Sequence, residues 1–599
     1  VQVADNYDQY SKEELLRLLR ERDRKPKFGL VWERNEIEHD KSLNDDFVAL
    51  DLDPVLSCGD APFENLIIEG DNFDALRYLR MTHAGRVKCI YIDPPYNTGN
   101  RDFIYNDRFV DPEDSYRHSK WLEFLYRRLV LAKDLLREDG VMLVSINDEN
   151  RAKLELLLDQ VLPGMRVGSF TWRSRLGDNR PKGAYLSVNH EHVLVYANSG
   201  FRFRGSDKTF DMYSNPDKDP HGAWRPDNLT GPASWKERPN TFYPIQDPAS
   251  KIWYPCNPDR VWVYATEDRV DDPSVLRKGT MESYIRAGRV IFPRGKRVAI
   301  WQTRKELDDA IRNGEVPKDG NGNPLLRQDL PDDVLTFFIG KSVGWGIPAY
   351  KRYQADAKET VQPISSWIKS TADKETENSN EMTTGLTDEG SKLLRQQIGT
   401  KIFQFPKPPS LMKELVLQSS ADDDIVLDFF AGSGTTAYAV ALANAVDGGS
   451  RRYVLVSSTE ATDEEPEKNI CRDVCAVRLK NTKSNFAYLR TKRIPASRVF
   501  NDIQHEQVWR ALQLIHHVPL SGYDKRALVH LAGNADDRLV YVPKLSEAIL
   551  EEVARLAGLS GRLVVYSWQP GQIRQRVNAP NVAFEKIPEF LVSRFGGGK

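Results

Sequence analysis

Cysteine is scarce in this chain, with five among 599 residues: Cys58, Cys89, Cys256, Cys471 and Cys475. An odd, scattered set diluted over so long a chain argues against a disulfide framework and fits a reducing compartment. Cys471 and Cys475 stand one helical turn apart, but no matching His or Cys pair lies near them, so they read as two reduced thiols on one helix. No apolar run approaches the roughly 20 residues that span a bilayer. The opening Val1-Gln2-Val3-Ala4-Asp5 lacks the charged and apolar regions of a secretory leader, so the sequence reads as cytosolic and without a membrane partner. Net charge is nearly absent, at -2, so any nucleic-acid surface must come from a local patch. Internal repeats and low-complexity tracts are missing as well. At roughly 100–200 residues per domain, the chain contains more than one.

The sharpest feature present is the run Cys89-Ile90-Tyr91-Ile92-Asp93-Pro94-Pro95-Tyr96-Asn97-Thr98-Gly99. Its β-branched and aromatic residues suit a central strand, and two prolines that cannot donate to a ladder end it. The strand therefore holds Asp93 and Tyr96 at its carboxyl edge, where open α/β sheets bind ligands. Upstream, Leu66-Ile67-Ile68-Glu69 reads as a strand, Gly70-Asp71-Asn72 as a turn and Phe73 to Met81 as a helix, which makes a βαβ unit and places Asp71 on the same edge. Downstream, Phe103 to Ser115 is a polar aromatic loop and Trp121 to Leu136 a helix ended by Gly140. Then come a strand from Val141 to Ile146, a helix from Arg151 to Val161, and strands at Ser169–Trp172 and His192–Tyr196.

Before this unit, Ser11 to Arg22 carries a serine N-cap, a capping-box Glu and leucines at helical spacing, and Phe28 to Ala61 is irregular and acidic, an arm. After Gly200 the composition changes. Trp224, Trp235, Trp253, Trp262, Trp301 and Trp345 appear, with Arg286, Arg289, Arg294, Lys296, Arg297 and Arg304 clustered late. Each tryptophan alone reads as core. The basic run reads as a nucleic-acid face, because phosphates need cations. Ala355 to Glu389 is polar and in part a mobile loop. The C-terminal piece has a helix at Glu506–His516 and strands at Leu539–Val542 and Arg562–Tyr566, with no catalytic constellation.

A second motif follows the insert: strand Ile425-Val426-Leu427-Asp428, turn Phe429-Phe430-Ala431-Gly432-Ser433-Gly434, then a small-residue helix from Thr435-Thr436. After the next strand, Tyr453–Ser457, comes Glu460. A glycine turn lets backbone approach a ligand, and an acid after the following strand accepts ribose hydroxyls. The turn lacks the third glycine of a dinucleotide fingerprint and the lysine of a phosphate-binding loop, which points to an adenosine ligand without phosphates, such as S-adenosylmethionine. Asp93 and the Pro94 carbonyl could both accept hydrogens of an exocyclic amine and draw its nitrogen toward tetrahedral geometry. Tyr96 offers a face for an extruded base. His190-Glu191-His192 has the wrong spacing for a helical zinc motif and reads as a turn bearing solvent-facing or base-pocket residues; no metal is expected.

With Asp93 to Tyr96 before the insert and Phe430 to Gly434 after it, the chain resembles the β-class DNA adenine-N6 methyltransferases. Gly70 to Leu76, Tyr91 to Gly99, His190 to Tyr196 and Phe405-Pro406-Lys407-Pro408 resemble the modification (Mod) subunits of type III restriction-modification systems. The resemblance implies an α/β fold with a circularly permuted Rossmann-like methyltransferase sheet. It also implies an N-terminal helix and arm (1–60), a catalytic half (61–200), a target-recognition domain (201–355), a cofactor half (356–484) and a small C-terminal α/β domain (485–599).

It implies methyl transfer from S-adenosylmethionine to a flipped adenine of double-stranded DNA, with Asp93, Pro94, Pro95 and Tyr96 catalytic. Asp71, at the cofactor adenine, Phe405, Lys407 and Pro408, beside the methionine end, and Glu460, at the ribose, would bind the cofactor. Asp93, Asp428, Phe430, Ala431, Gly432, Gly434, Thr435 and Thr436 would complete that set. A homodimer and a restriction (helicase-nuclease) subunit are the implied partners. An N4-cytosine enzyme, which more often carries Ser in place of Asp93, and a DNA-recognition subunit with a silent site are the alternatives.

Overall fold

The computed structural model describes residues 11–13, 32, 43–98, 103–105, 108–111, 113–177, 186–208, 210–269, 279–295, 297–357, 360–373, 380–399, 403, 405–463 and 465–596. Most of the helix expected at Ser11–Arg22, the first part of the arm, Gly99 and Lys296 lie outside the described residues. The chain divides into two compact units, 207–362 and the remainder, 1–206 with 363–599.

The larger unit is built on one mixed sheet. Its strands are β1 (Phe47–Cys58), β2 (Leu66–Glu69), β3 (Val87–Ile92), β4 (Leu136–Ile146), β5 (Arg166–Arg173), β6 (His190–Ala197), β7 (Trp367–Ser370), β8 (Met382–Thr384), β9 (Ile425–Asp428), β10 (Arg452–Ser457) and β11 (Phe486–Ile494). Their order across the sheet is β1-β11-β2-β10-β9-β3-β4-β6-β5-β7-β8. From β11 to β4 every pairing is parallel; β6 is antiparallel to both neighbours, and β1 to β11.

Strand alternation fills a core on each face. Ile90, Ile92, Met142, Val144, Leu427 and Val456 join one, with Leu76 and Leu79 of helix α1 (Asn72–His83), Leu125 and Leu129 of α2 (Arg117–Lys133) and Leu154 and Leu158 of α3 (Asp148–Val161). Cys89, Tyr91, Val141, Leu143, Val426 and Leu455 join the other. A further helix, α4, covers Thr387–Ile398. The second core is closed by Leu411 and Leu415 of α5 (Pro409–Ser419) and Ala437 and Val440 of α6 (Thr435–Asp447). A sheet buried on both faces explains why these strands are continuous apolar runs.

From β3 the chain proceeds through α2 to β4 on one side. From β9 it proceeds through α6 to β10 on the other. The β9/β3 pair is thus the point where strand order reverses, and the crevice beyond its carboxyl ends is the binding position of such a sheet. The two sequence motifs end those two strands, in the permuted order expected of a Rossmann-like methyltransferase sheet.

Several local expectations need correction. The arm contains a twelve-residue strand, β1, whose ladder partner is β11. Asp51 and Asp53 interrupt its apolar pattern, and a partner more than 400 positions later supplies the pairing. Gly140 lies inside β4 rather than ending a helix, because α2 stops at Lys133 and the strand begins at Leu136. The Phe103–Ser115 loop contains a short hairpin, Ile104–Tyr105 with Arg108–Phe109. Within Ala355–Glu389, β7 and β8 extend the sheet beyond β5, though residues 374–379 lie outside the described set. His190-Glu191-His192 opens β6 and is not a turn.

In the C-terminal piece, β11 belongs to the central sheet. Helix α7 (His505–Ile515) and a four-stranded sheet follow, with strands in the order His530–Gly533, Asp537–Val542, Arg562–Ser567, Val582–Lys586. Leu539, Tyr541 and Val564 of that sheet share a core with Trp509 and Leu512 of α7.

The smaller unit is rich in short strands. A three-stranded sheet joins Trp224–Asn228, Ala349–Tyr353 and Val290–Ile291 around a core that includes Trp262, Trp301, Leu307 and Phe338. Trp262 and Trp301 are buried, while Trp224, Trp235, Trp253 and Trp345 are half-buried. Of the clustered cations, Arg286 pairs with Glu267, Arg289 with Asp356, and Arg304 with Asp308 and Asp332. Arg297 lies over the Trp345 ring, 4.4 Å from its centroid. Three cations of the basic run are thus paired with acids of their own unit.

Candidate active site

The turn after β3 is held rigidly by three carbonyl contacts. Trp121, at the start of α2, donates its indole N–H to the Pro95 carbonyl at 2.7 Å. Asn150 of α3 donates its side-chain amide to the Tyr96 carbonyl at 2.8 Å and to the Asn97 carbonyl at 3.2 Å. Asn97 takes the left-handed φ of 56° that the tight return needs. Among the described residues none donates to the Pro94 carbonyl.

Around the turn lies a polar cluster. Lys407, on the segment entering α5, donates to Glu191 Oε2 at 2.7 Å and to the Tyr96 hydroxyl at 2.5 Å. Its Nζ is 3.4 Å from Asp93 Oδ1. The Tyr96 hydroxyl donates to Glu191 Oε2 at 3.1 Å. Lys407 Nζ also lies 4.9 Å from the Tyr96 ring centroid. The Asp93 side chain is 27% exposed, yet its Oδ1 is buried and accepts no hydrogen bond. Burial raises the Asp93 carboxyl above its ordinary range, against the pull of Lys407. Burial pushes the Glu191 carboxyl up, but Lys407, Tyr96 and Arg175 together hold it below its ordinary range; burial pulls Lys407 down, but Asp93 and Glu191 together hold it above its own.

At the end of β9, Asp428 is buried; it accepts from the Phe430 N–H at 2.9 Å and from the Thr436 hydroxyl. Burial pushes its carboxyl up to about 7. Gly432 and Gly434 take φ values of 47° and 72°. A Cβ on Gly434 would stand 2.8 Å from Cys475 Sγ, so this glycine also serves close helix packing. The Thr435 hydroxyl accepts from the buried Arg478 at 2.8 Å. Both threonine hydroxyls are thus engaged inside the protein. Ala431 pairs back to β10 through its N–H, 3.1 Å from the Val456 carbonyl.

On the neighbouring strand end, Asp71 caps α1 by accepting from Phe73 N–H at 2.7 Å and pairs with Arg128 of α2 at 3.1 Å. Asn72 accepts from Arg128 and donates to the Phe429 carbonyl at 3.1 Å, tying α1 to the glycine turn. Glu460, beyond β10, has a φ of 55°, an elevated carboxyl caused by burial, and Lys468 at 3.5 Å. Phe405 is 72% exposed with a φ of 56°, an unusual backbone for a bulky residue; Pro408 is the N-cap of α5.

The structure therefore gathers Asp93, Tyr96 and Lys407 into one cluster, and Asp71, Asp428, Phe430, Gly432, Gly434 and Glu460 along the same carboxyl edge. Sequence reasoning missed Trp121, Asn150, Arg128 and the role of Glu191. Only Glu191 gave a signal, as part of the His190–Tyr196 run.

Asp148, His190 and His192 bring ligand atoms within 4.8 Å of one another. His192 Nε2 lies 3.1 Å from Asp148, and the Arg151 guanidinium sits 3.1 Å from Nδ1. Both ring nitrogens thus have protein partners, and a cation already occupies the neighbourhood.

The sequence model of the DNA methylase family matches residues 87–446, from the start of β3 to the end of α6. The chain belongs to that family. It is 31% identical over 440 residues to the type III restriction-modification enzyme EcoPI Mod subunit of Escherichia phage P1, covering 67% of this chain and 58% of that protein. It is 50% identical over 397 residues to the probable type III HindVI Mod subunit of Haemophilus influenzae, covering 63% of this chain and 47% of that one. The StyLTI Mod subunit of Salmonella typhimurium is 28% identical over 463 residues, 70% of this chain and 58% of that protein. This DNA methylase spans less than two thirds of the length of those relatives. Among solved structures, PvuII DNA methyltransferase (cytosine-N4-specific) aligns over 77% of this chain and 96% of its own, at 10% identity and a TM-score of 0.30.

Proposed function

We propose that this DNA methylase transfers a methyl group from S-adenosylmethionine to the N6 amine of an adenine turned out of double-stranded DNA, as the modification component of a type III restriction-modification system. The observation that carries the reading is the partly exposed Asp93 carboxylate beside Tyr96, at the switch point of the sheet.

The residues present fit the cofactor. Asp71 and Glu460 stand at the strand edge that carries Asp93, acceptors suited to ribose hydroxyls, Asp428 is buried and holds the glycine turn through Phe430 and Thr436, and that turn carries no lysine for phosphates. Asp71, Phe405, Pro408, Phe430, Ala431, Gly432, Gly434 and Glu460 would hold it, whereas the Thr435 and Thr436 hydroxyls, engaged with Arg478 and Asp428, secure the turn instead. Bound there, S-adenosylmethionine supplies an electrophilic methyl group.

The chain's own residues do the rest. Tyr96 offers its ring to the extruded base. The Asp93 carboxylate and the Pro94 carbonyl would accept the two amine hydrogens, which turns the nitrogen lone pair away from the ring and toward the methyl. When the methyl's bond to sulfur is exchanged for one to nitrogen, the amine would give up a proton, and the Asp93 carboxylate, raised by burial, would accept it. Trp121 and Asn150 keep the turn from moving.

The same acceptors could take the N4 amine of cytosine. Adenine is favoured by Asp93 itself and by relatives named as type III Mod subunits. DNA reading by residues 207–362, a restriction partner and a homodimer belong to the same proposal. So does a cytosolic location, since the five cysteines are free thiols and, among the described residues, no helix is long and apolar enough to cross a membrane. Sequencing that reports modified bases, applied to plasmid DNA exposed to the protein and S-adenosylmethionine, tests the reading. N6-methyladenine at one recurring site supports it; N4-methylcytosine replaces the base, and unmodified DNA refutes it.

A further inference from the structure

Lys407 stands between two carboxylates and leans to one. Its ammonium hydrogen-bonds Glu191 at 2.7 Å and the Tyr96 hydroxyl at 2.5 Å, but stays 3.4 Å from Asp93 Oδ1. The side chains of Lys407 and Glu191 are each 11% exposed, so water screens these charges little. Among the described residues, Asp93 and Glu191 are the acids paired with the ammonium, so without Glu191 it would be left to Asp93. Glu191 also accepts from Tyr96, so one carboxylate fixes both the ammonium and the ring that flank Asp93.

We propose that Glu191 is a positioning residue that shares the Lys407 ammonium with Asp93, keeping it at ion-pair distance from the buried Oδ1 rather than hydrogen-bonded to it, and so leaves the exposed part of the Asp93 carboxylate able to accept from the incoming amine. The inference rests on Asp93 being the amine acceptor of the proposed reaction. It gives the His190–Tyr196 run a task, since Glu191 is the residue of β6 that turns to the cluster. The other charged or titratable groups acting on this cluster are Tyr91 of β3 and Asp428 of β9, toward Asp93, and Arg175, toward Glu191.

Glu191→Gln tests it, because the amide keeps the volume and an oxygen for Tyr96. In the variant the ammonium closes on Asp93, and turnover at saturating DNA and cofactor falls by roughly 10- to 100-fold, the scale of a misplaced reacting group. Removing the ammonium as well, in Glu191→Gln/Lys407→Met, recovers several-fold of that loss. The Asp93 carboxyl, titrated in the free protein by isotope-edited infrared and assigned with Asp93→Asn, moves to lower pH in Glu191→Gln and to higher pH in Lys407→Met. A double variant slower than Glu191→Gln, or an Asp93 titration unmoved by Glu191→Gln, overturns the role of Glu191. An inactive wild-type protein whose Asp93 titration still moves this way supports the pairing and overturns the proposed reaction instead.

Discussion

The indole N–H of Trp121 donates to the Pro95 carbonyl at 2.7 Å, so a side chain of α2 anchors the proline turn that ends β3. Together with Asn150 on the next two carbonyls, it leaves Pro94 as the carbonyl to which no described residue donates. Trp121→Phe keeps the buried ring and removes the bond. The expected stability loss is roughly 0.5–1.5 kcal/mol, that of one hydrogen bond. Methyl transfer should fall by about 10-fold, because the turn loosens by a fraction of an ångström. Melting and single-turnover methylation measured side by side check this; a variant that loses stability without losing rate would detach Trp121 from the chemistry.

Gly434 combines a φ of 72° with close approach to Cys475. Gly434→Ala should cost roughly 1–3 kcal/mol, as a side chain in a left-handed position does. Adding Cys475→Ala relieves the contact and leaves the backbone cost. Denaturation midpoints of the single and double variants would therefore differ, with the double the more stable; equal midpoints would show that packing on Cys475 contributes nothing.

Arg128 is buried against Asp71 and Asn72, and Asn72 reaches the Phe429 carbonyl of the glycine turn. Arg128→Met removes the guanidinium that aligns both. A loss of roughly 1.5–3 kcal/mol is expected, the range for hydrogen bonds to a charged group, toward its lower end because the Asp71 side chain is 32% exposed. Calorimetric titration should show S-adenosylmethionine binding weakened by about 10-fold. Unchanged affinity would separate the Asp71 end of the edge from the cofactor.

Asp428 gives a pH signature. Burial raises its carboxyl to about 7, whereas an unfolded Asp titrates near 3.9. The folded state therefore binds this proton more tightly than the unfolded chain. The group's contribution to stability is greatest below pH ~4, declines as pH rises toward about 7, and levels off above. Asp428→Asn lacks that decline, so its stability relative to wild type should improve by roughly 2–4 kcal/mol between pH 4 and 7, at about 1.4 kcal/mol per unit. Urea titrations at several pH values decide it; parallel profiles for the two proteins would contradict the raised carboxyl.

What could be read in the sequence was local. Asp93 and Tyr96 declared themselves because two prolines both end the strand and fix its edge. Gly432 and Gly434 did so because a turn between strand and helix needs residues that tolerate positive φ. What escaped depends on pairings across the chain. Glu191 meets Lys407 more than 200 positions later, and only the placement of β6 beside β4 brings it to the cluster. The strand Phe47–Cys58 was hidden by Asp51 and Asp53 until β11 supplied its ladder. Arg286, Arg289 and Arg304 of the basic run pair with Glu267, Asp356 and Asp332, acids distant enough in sequence that the pairing could not be read from it.

The most direct test of the amine clamp uses Asp93→Ala with S-adenosylmethionine carrying a labelled methyl group. Wild type should place label on adenine N6 in plasmid DNA. The variant should place none while still binding S-adenosylmethionine. Label transferred by Asp93→Ala at a wild-type rate, or none transferred by the wild type, would contradict the assignment of Asp93 as the group that positions the amine.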